Sequence, residues 1–312
     1  MPCYHPIEAR YIVKPDGKKK LFFNSRSSPI PWEGMTPIQI PCGKCIGCRL
    51  ERARQWAVRC CYEASLHEQN CFITLTYNDF NLPANNSLVR ADPQLFFKRL
   101  RKRLGFPIRY FGCGEYGDRL QRPHYHAILF GVDFRLLDKD GLCPMNLSTS
   151  GPSVADMQPS SGSSSSLFSS SLLAQLWPFG FNVVGSMTFE SACYVARYCT
   201  KKLNGAEGKE AYESQGRLPP FLMCSTRPGI ASEWFDRFGM SDVFPQDLCF
   251  ARGHPCLPPR FFEKKLALAD EVCYNMVKQK RELSRKDVDP ARLLVLEEIV
   301  RKRFNKIARP IC

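Results

Sequence analysis

No stretch of the 312-residue sequence approaches the roughly 20 consecutive apolar residues that cross a bilayer, which argues against a membrane protein. The opening residues, Met1 to Arg10, hold no apolar signal core. Sixteen cysteines in a chain of this length therefore read as reduced thiols of a cytoplasm, not as the disulfide framework of a small secreted protein. No G-x-x-x-x-G-K-[ST] run occurs, so no nucleotide-driven motor is encoded, and any duplex unwinding must come from a partner. Acidic residues are the minority: 30 Asp and Glu stand against 44 Lys and Arg, a net charge of +14 that favours a polyanionic partner, nucleic acid first. The same charge also fits a basic protein that binds no polyanion. Histidine is scarce, at five residues. With 44% hydrophobic and 12% aromatic residues, the chain is far from a disordered composition and is long enough for one large or two ordinary domains.

Three regions are expected: residues 1–66, a Cys-rich arm and helix; 67–205, an α+β domain; and 206–312, a basic, partly helical C-terminal region. The arm is rich in Pro, Gly and Lys and ends in Cys42-Gly-Lys-Cys45-Ile-Gly-Cys48. A helix is predicted over 49–66, where Leu50, Ala53, Ala57, Cys60 and Cys61 recur at helical spacing. The alternating Phe72-Ile-Thr-Leu-Thr-Tyr77 run predicts a strand over 71–77. Asp92 as cap, Pro93 in the first turn and Gly105 at the end predict a helix that buries Leu95, Phe96, Leu100 and Leu104. Its outer face carries Lys98, Arg99, Arg101, Lys102 and Arg103, either an ordinary solvated face or one that contacts phosphates. Strands over 107–113 and 124–131, a Ser-rich flexible insertion at 148–171, a short helix at 172–176, a strand near 181–189 and a helix over 190–203 complete the domain. The order β-α-β-β-α-β-α suits an antiparallel sheet with helices on one face, a two-layer α+β domain. Basic helical stretches are predicted at 260–286 and 290–307.

Chemistry concentrates in two segments. In the strand containing His124 and His126, residues i and i+2 share a face, so two imidazoles stand side by side while Tyr125 faces the other way. Glu115 precedes them by a turn-length spacing that lets an adjacent antiparallel strand bring its carboxylate opposite. Two His and one carboxylate form a metal-ligand set with positions left open for substrate oxygens. A bare His-x-His is also what chance puts on a sheet surface. The second segment is Tyr194-Val-Ala-Arg-Tyr198-Cys-Thr-Lys201-Lys202, where helical spacing puts both phenols and both ammonium groups in one stripe. Such a tyrosine pair is either aromatic packing or a pair of covalent nucleophiles, whose phenolates Lys201 and Lys202 would stabilise.

The strand Phe72–Tyr77, the segment Pro123-His124-Tyr125-His126 and the helix with Tyr194 and Tyr198, in this order, resemble the three motifs of HUH endonucleases, the rolling-circle initiators of small DNA replicons. With Met1-Pro-Cys-Tyr-His-Pro6 and Pro41-Cys-Gly-Lys-Cys-Ile-Gly-Cys-Arg49, residues 1–205 resemble the gokushovirus-type branch, from phages of the Microviridae. The resemblance implies a ferredoxin-like two-layer core, metal ligands at His124 and His126, nucleophiles at Tyr194 and Tyr198, and nicking of single-stranded origin DNA through a 5′-phosphotyrosine adduct. It further implies Mg²⁺ or Mn²⁺ as cofactor, a host helicase and polymerase as partners, and action in the bacterial host cytoplasm. Glu115 as third ligand comes from spacing alone.

Cys42, Cys45 and Cys48 have zinc-like spacing, with Cys3 or His5 as a candidate fourth ligand; unligated thiols in a tight turn and an iron–sulfur cluster are the other readings. A zinc-knuckle nucleic-acid binder without nuclease activity explains the charge and the cysteines but not Glu115, His124 and His126. A metal-dependent hydrolase of small substrates explains those three but not the paired tyrosines and lysines.

Overall fold

The computed structural model describes residues 3–15, 17, 19–23, 33–117, 120–144, 167–201, 206–284 and 289–308. Strands Ile7–Val13 (β1), Lys19–Phe23 (β2) and Thr36–Ile40 (β3) form an antiparallel sheet with β1 in the middle. The expected helix follows as Ile46–Ala64 (α1) and the expected strand as Asn70–Thr76 (β4). Helix Ala91–Leu104 (α2) leads to strands Arg109–Tyr116 (β5) and Pro123–Phe130 (β6), then to a short helix, Phe134–Leu137 (α3). Next come Leu142–Pro144 (β7), Phe168–Ser170 (β8), helix Ser171–Leu176 (α4), strand Asn182–Ser186 (β9) and helix Phe189–Lys201 (α5). The remainder holds Ala206–Glu213 (α6), Phe221–Cys224 (β10), Ser232–Trp234 (α7), the hairpin Cys249–Ala251 (β11) and His254–Cys256 (β12), and helices Arg260–Ala269 (α8), Glu271–Leu283 (α9) and Pro290–Ala308 (α10).

One seven-stranded antiparallel sheet, in the order β10-β5-β6-β4-β9-β8-β7, organises the α+β fold. Helices cover both of its faces, where the sequence predicted one. Cys71, Ile73 and Leu75 of β4 and Tyr125, Ala127 and Leu129 of β6 pack with Phe96, Phe97 and Leu100 of α2 and Leu173 and Leu176 of α4. Phe72 of β4, Phe111 of β5 and Ile128 of β6 pack on the other side with Ala53, Ala57 and Cys60 of α1 and Ala192, Val195 and Ala196 of α5. The expected period-two alternation of β4 is therefore apolar on one side and partly polar on the other, yet buried on both.

Four further expectations change. Arg90, not Asp92, is the residue before α2; Asp92 lies in the first turn, where its carboxylate accepts a hydrogen bond from the Tyr77 hydroxyl. Leu95 is exposed and Phe97 takes the buried position, while Gly105 closes the helix in the left-handed conformation (φ 76°) as predicted. Residues 145–166 of the Ser-rich insertion lie outside the described residues, but its last residues form β8 and begin α4, with Ser170 capping the Leu173 N–H. The stretch 260–286 is two helices, broken where Asp270 caps α9 by accepting from the Cys273 N–H.

By packing the chain divides into two units, Met1–Glu51 with Lys286–Cys312, and Arg52–Arg285. The first has a small core of Tyr4, Cys45, Ile46 and Leu293, with Leu50, Leu296, Val300 and Phe304 packed against it. The second holds the seven-stranded sheet, its two flanking cores, and a third core around Val58, Trp234, Phe235, Phe244, Phe262 and Leu266. Residues 206–285, read from sequence as part of a separate C-terminal region, thus contribute β10 to the edge of the main sheet, paired with β5. Among the described residues no helix is long and apolar enough to cross a membrane.

Candidate active site

The antiparallel register of β5, β6 and β4 brings the polar residues of three strands together on the face covered by α5. Glu115 stands opposite His124 and Cys113 opposite His126; from the other side Thr76 stands opposite His124 and Thr74 opposite His126. The predicted facing of Glu115 and His124 is thus the observed strand register. His126 is fully buried, and Glu115 and His124 are each 2% exposed. Gly112 lets β5 lie this close: a Cβ there would sit 2.6 Å from the His126 carbonyl oxygen.

Both nitrogens of His126 are engaged. Nε2 lies 2.9 Å from Glu115 Oε1, and Nδ1 lies 2.8 Å from Thr74 Oγ1. A hydroxyl can donate or accept, so Thr74 holds the ring in orientation whichever nitrogen carries the proton. His124 Nδ1 lies 3.1 Å from its neighbour's carbonyl, Pro123 O, and the two histidine ring centroids are 6.3 Å apart at 73°. Tyr125 faces the opposite side, its hydroxyl bonded to Val89 and to Tyr77, and burial pushes its phenol up to about 12.

Tyr194 comes to this face from α5. Thr188 and Ser191 cap that helix reciprocally: the Thr188 hydroxyl accepts from the Ser191 N–H (3.1 Å) and the Ser191 hydroxyl accepts from the Thr188 N–H (2.8 Å). The small Ala192 and Ala196 then allow close packing on Phe72 and Ile128. The result is a Tyr194 ring 5.2 Å from the His126 ring, edge to face at 82°, and 8% exposed. Tyr198 follows one turn later in α5; its side chain and that of Lys201 lie outside the described side chains, and Lys202 lies outside the described residues.

As a ligand set, Glu115 and His126 already converge. Two adjacent ligands of an octahedral divalent ion at about 2.1 Å stand about 3 Å apart, which is their separation. His124 stands further off: among the described residues the one group of three or more ligand atoms lying within 4.8 Å of one another is Cys3, Cys42, Cys45 and Cys48. The donor types and the strand register suit a two-His, one-carboxylate set, of which Glu115 and His126 converge and His124 does not.

The chain is similar to known phage proteins. Residues 70–203, from β4 through α5, match the family model of replication-associated protein ORF2/G2P. Replication-associated protein VP4 of Bdellovibrio phage phiMH2K is 29% identical over 84% of this chain and 76% of its own, and replication-associated protein ORF2 of Spiroplasma virus 4 is 28% identical over 90% and 86%. The chain is thus similar to replication-associated proteins of phages. Replication-associated protein ORF4 of Chlamydia phage 1 is 34% identical over 52% of this chain and 38% of its own. No solved structure matches.

The basic helix α2 does not join the histidine face. Its buried residues belong to the opposite side of the sheet. Arg99 donates to Leu176 O (2.9 Å) and Arg101 to Ile108 O (3.2 Å), so these two brace the fold, whereas Lys98, Lys102 and Arg103 are exposed. Of the two candidates for joining the cysteine triplet, Cys3 does so; His5 lies against Glu297 instead, at 2.6 Å. Thr74 was not singled out from the sequence. Its signal is a hydroxyl residue in a strongly apolar strand, readable only once the register of β4 against β6 is known.

Proposed function

We propose that this chain starts replication of a phage genome by nicking single-stranded origin DNA with a tyrosine. The observation that carries this reading is the 5.2 Å approach of the Tyr194 ring to His126, on the sheet face shared with His124 and Glu115. The Tyr194 phenolate attacks the scissile phosphorus as the bond to the 3′ oxygen breaks, which leaves a 3′ hydroxyl and a 5′ phosphotyrosine. One phosphoester is exchanged for another, so rejoining needs no ATP. A Mg²⁺ or Mn²⁺ ion held by His124, His126 and Glu115 would polarise the phosphate and make it a better electrophile. Thr74 fixes the orientation of His126. Lys201 and Lys202, next on the helical stripe, are the candidate cations for the phenolate, and Tyr198, about 6 Å further along the helix axis, is the candidate second nucleophile. Because Glu115, His124, His126 and Tyr194 are all buried, the DNA strand enters only when the side chains covering them move aside.

Incubation with an origin oligonucleotide and Mn²⁺ tests this reading. A denaturation-resistant protein–DNA adduct is expected, lost in His124→Ala and His126→Ala while single-strand binding persists, because binding rests on basic and aromatic groups. Full adduct formation by both histidine variants would remove the metal site from the proposal.

A further inference from the structure

We propose that Cys3, Cys42, Cys45 and Cys48 hold one zinc ion that fastens the N-terminal arm into the first unit of the chain, independently of any nuclease activity. The four sulfurs lie within 4.8 Å of one another, with Cys3 and Cys45 Sγ 3.9 Å apart. Zinc–thiolate bonds of about 2.3 Å in a tetrahedron set sulfurs about 3.8 Å apart. A disulfide needs about 2.05 Å, and the four thiols are free. In a four-iron cluster each cysteine binds a different iron, which spreads the sulfurs more widely than this group is spread. A tetrahedral set of four thiolates selects a single zinc or iron, and zinc, which needs no redox partner, is the simpler occupant.

The backbone is arranged for thiolates as well. The Cys42 N–H donates to Cys3 Sγ (3.2 Å), the Cys45 N–H to Cys42 Sγ (3.3 Å), and the N–H groups of Tyr4 and Cys48 to Cys45 Sγ (3.4 and 3.5 Å). Gly43 at φ 74° turns the chain between Cys42 and Cys45. Cys45 immediately precedes α1 and Cys48 lies in its first turn, where the positive end of the helix dipole favours thiolate. The need for a clamp follows from the size of the core it serves: its cluster of buried residues is Tyr4, Cys45, Ile46 and Leu293, and Ala9 is the one further buried hydrophobic side chain among the unit's described residues. A core this small rarely sustains a unit without a metal or disulfides.

Elemental analysis of the full-length chain purified under reducing conditions should find about one zinc per chain, retained in His126→Ala and lost in Cys45→Ser. In case Cys45→Ser fails to fold, Co²⁺ exchange into the unaltered chain gives a second reading: intense thiolate-to-cobalt charge transfer with the visible bands of a tetrahedral site. Chelation should also open residues 1–51 and 286–312 to protease, as mapped by mass spectrometry. The proposal is overturned by an unaltered chain that lacks zinc and shows no thiolate–cobalt band, by iron in place of zinc, by loss of the zinc in His126→Ala, or by protease resistance indifferent to chelation.

Discussion

Thr74→Val removes one hydroxyl and keeps the branched shape of the side chain, at a position with no solvent exposure. The hydroxyl lies 2.8 Å from His126 Nδ1 and faces it directly across β4 and β6. Losing a buried partner of this kind costs about 1–3 kcal/mol, the desolvation penalty of the ring nitrogen left behind. Where the histidine is a metal ligand, the same loss appears as a roughly 10–100-fold weaker metal affinity, equivalent to about 1.4–2.8 kcal/mol. The assay is adduct formation on an origin oligonucleotide across a Mn²⁺ titration. Thr74→Val should shift the half-saturating Mn²⁺ concentration upward by roughly 10–100-fold and approach the normal rate at saturation, while Thr74→Ser, which keeps the hydroxyl, restores most of the affinity. A loss of thermal stability with an unchanged Mn²⁺ midpoint would refute the positioning role and leave Thr74 as a packing residue.

Gly112→Ala drives a methyl group into the His126 carbonyl, and at a cost of about 2 kcal/mol it should lower Tm by roughly 4–8 °C in a thermal melt. Glu63 is buried; burial alone raises its pKa, but hydrogen bonds from His67, Arg109 and the Ala231 N–H outweigh that and hold it below the ordinary carboxylate value. Its folded pKa lies below its unfolded one, so the stability it contributes is present above the unfolded pKa and is lost as pH falls through the folded pKa. Glu63→Gln should accordingly lower the unfolding free energy near neutral pH by about 3 kcal/mol, where Arg109 is left unpaired, and with it the urea midpoint, and should flatten the decline of that midpoint in acid. DNA affinity should fall steeply with salt. Gln at Lys98, Lys102 and Arg103 should reduce the log–log slope by about 0.7 for each phosphate no longer neutralised without moving the nick, whereas Arg99→Ala and Arg101→Ala should mainly lower Tm.

What the sequence made legible was local. His124 and His126 on one strand face, Glu115 across a hairpin and Tyr194 on a following helix all rest on the periods of strands and helices, which β5, β6 and α5 obey. What it hid depends on long-range pairing. The four-residue strand β10 sits in a proline-rich stretch, and its partner Gly114 precedes Phe221 by more than a hundred residues, so nothing local announces it. The second helical layer was missed because alternation along a strand tells which residues share a face and not what covers that face; Thr74 and Thr76 are buried beside the histidines. Two smaller departures have local causes: Asp270 before Glu271 is a helix cap inside a stretch read as one helix, and Asp92 is drawn to Tyr77 and so does not cap α2.

The most direct measurement of the proposed chemistry is label transfer from an origin oligonucleotide carrying its label at the 3′ end, followed by peptide mapping of the labelled protein. Attack by tyrosine retains the 5′ phosphate of the downstream fragment, so the 3′ label should move onto the protein and map to the peptide holding Tyr194 and Tyr198, whereas a 5′ label should leave with the free 3′-hydroxyl fragment. Tyr194→Phe and Tyr198→Phe should each retain some labelling, and the double variant should retain none. Label on the double variant, or on any other peptide, would contradict the assignment of the nucleophile to this helix.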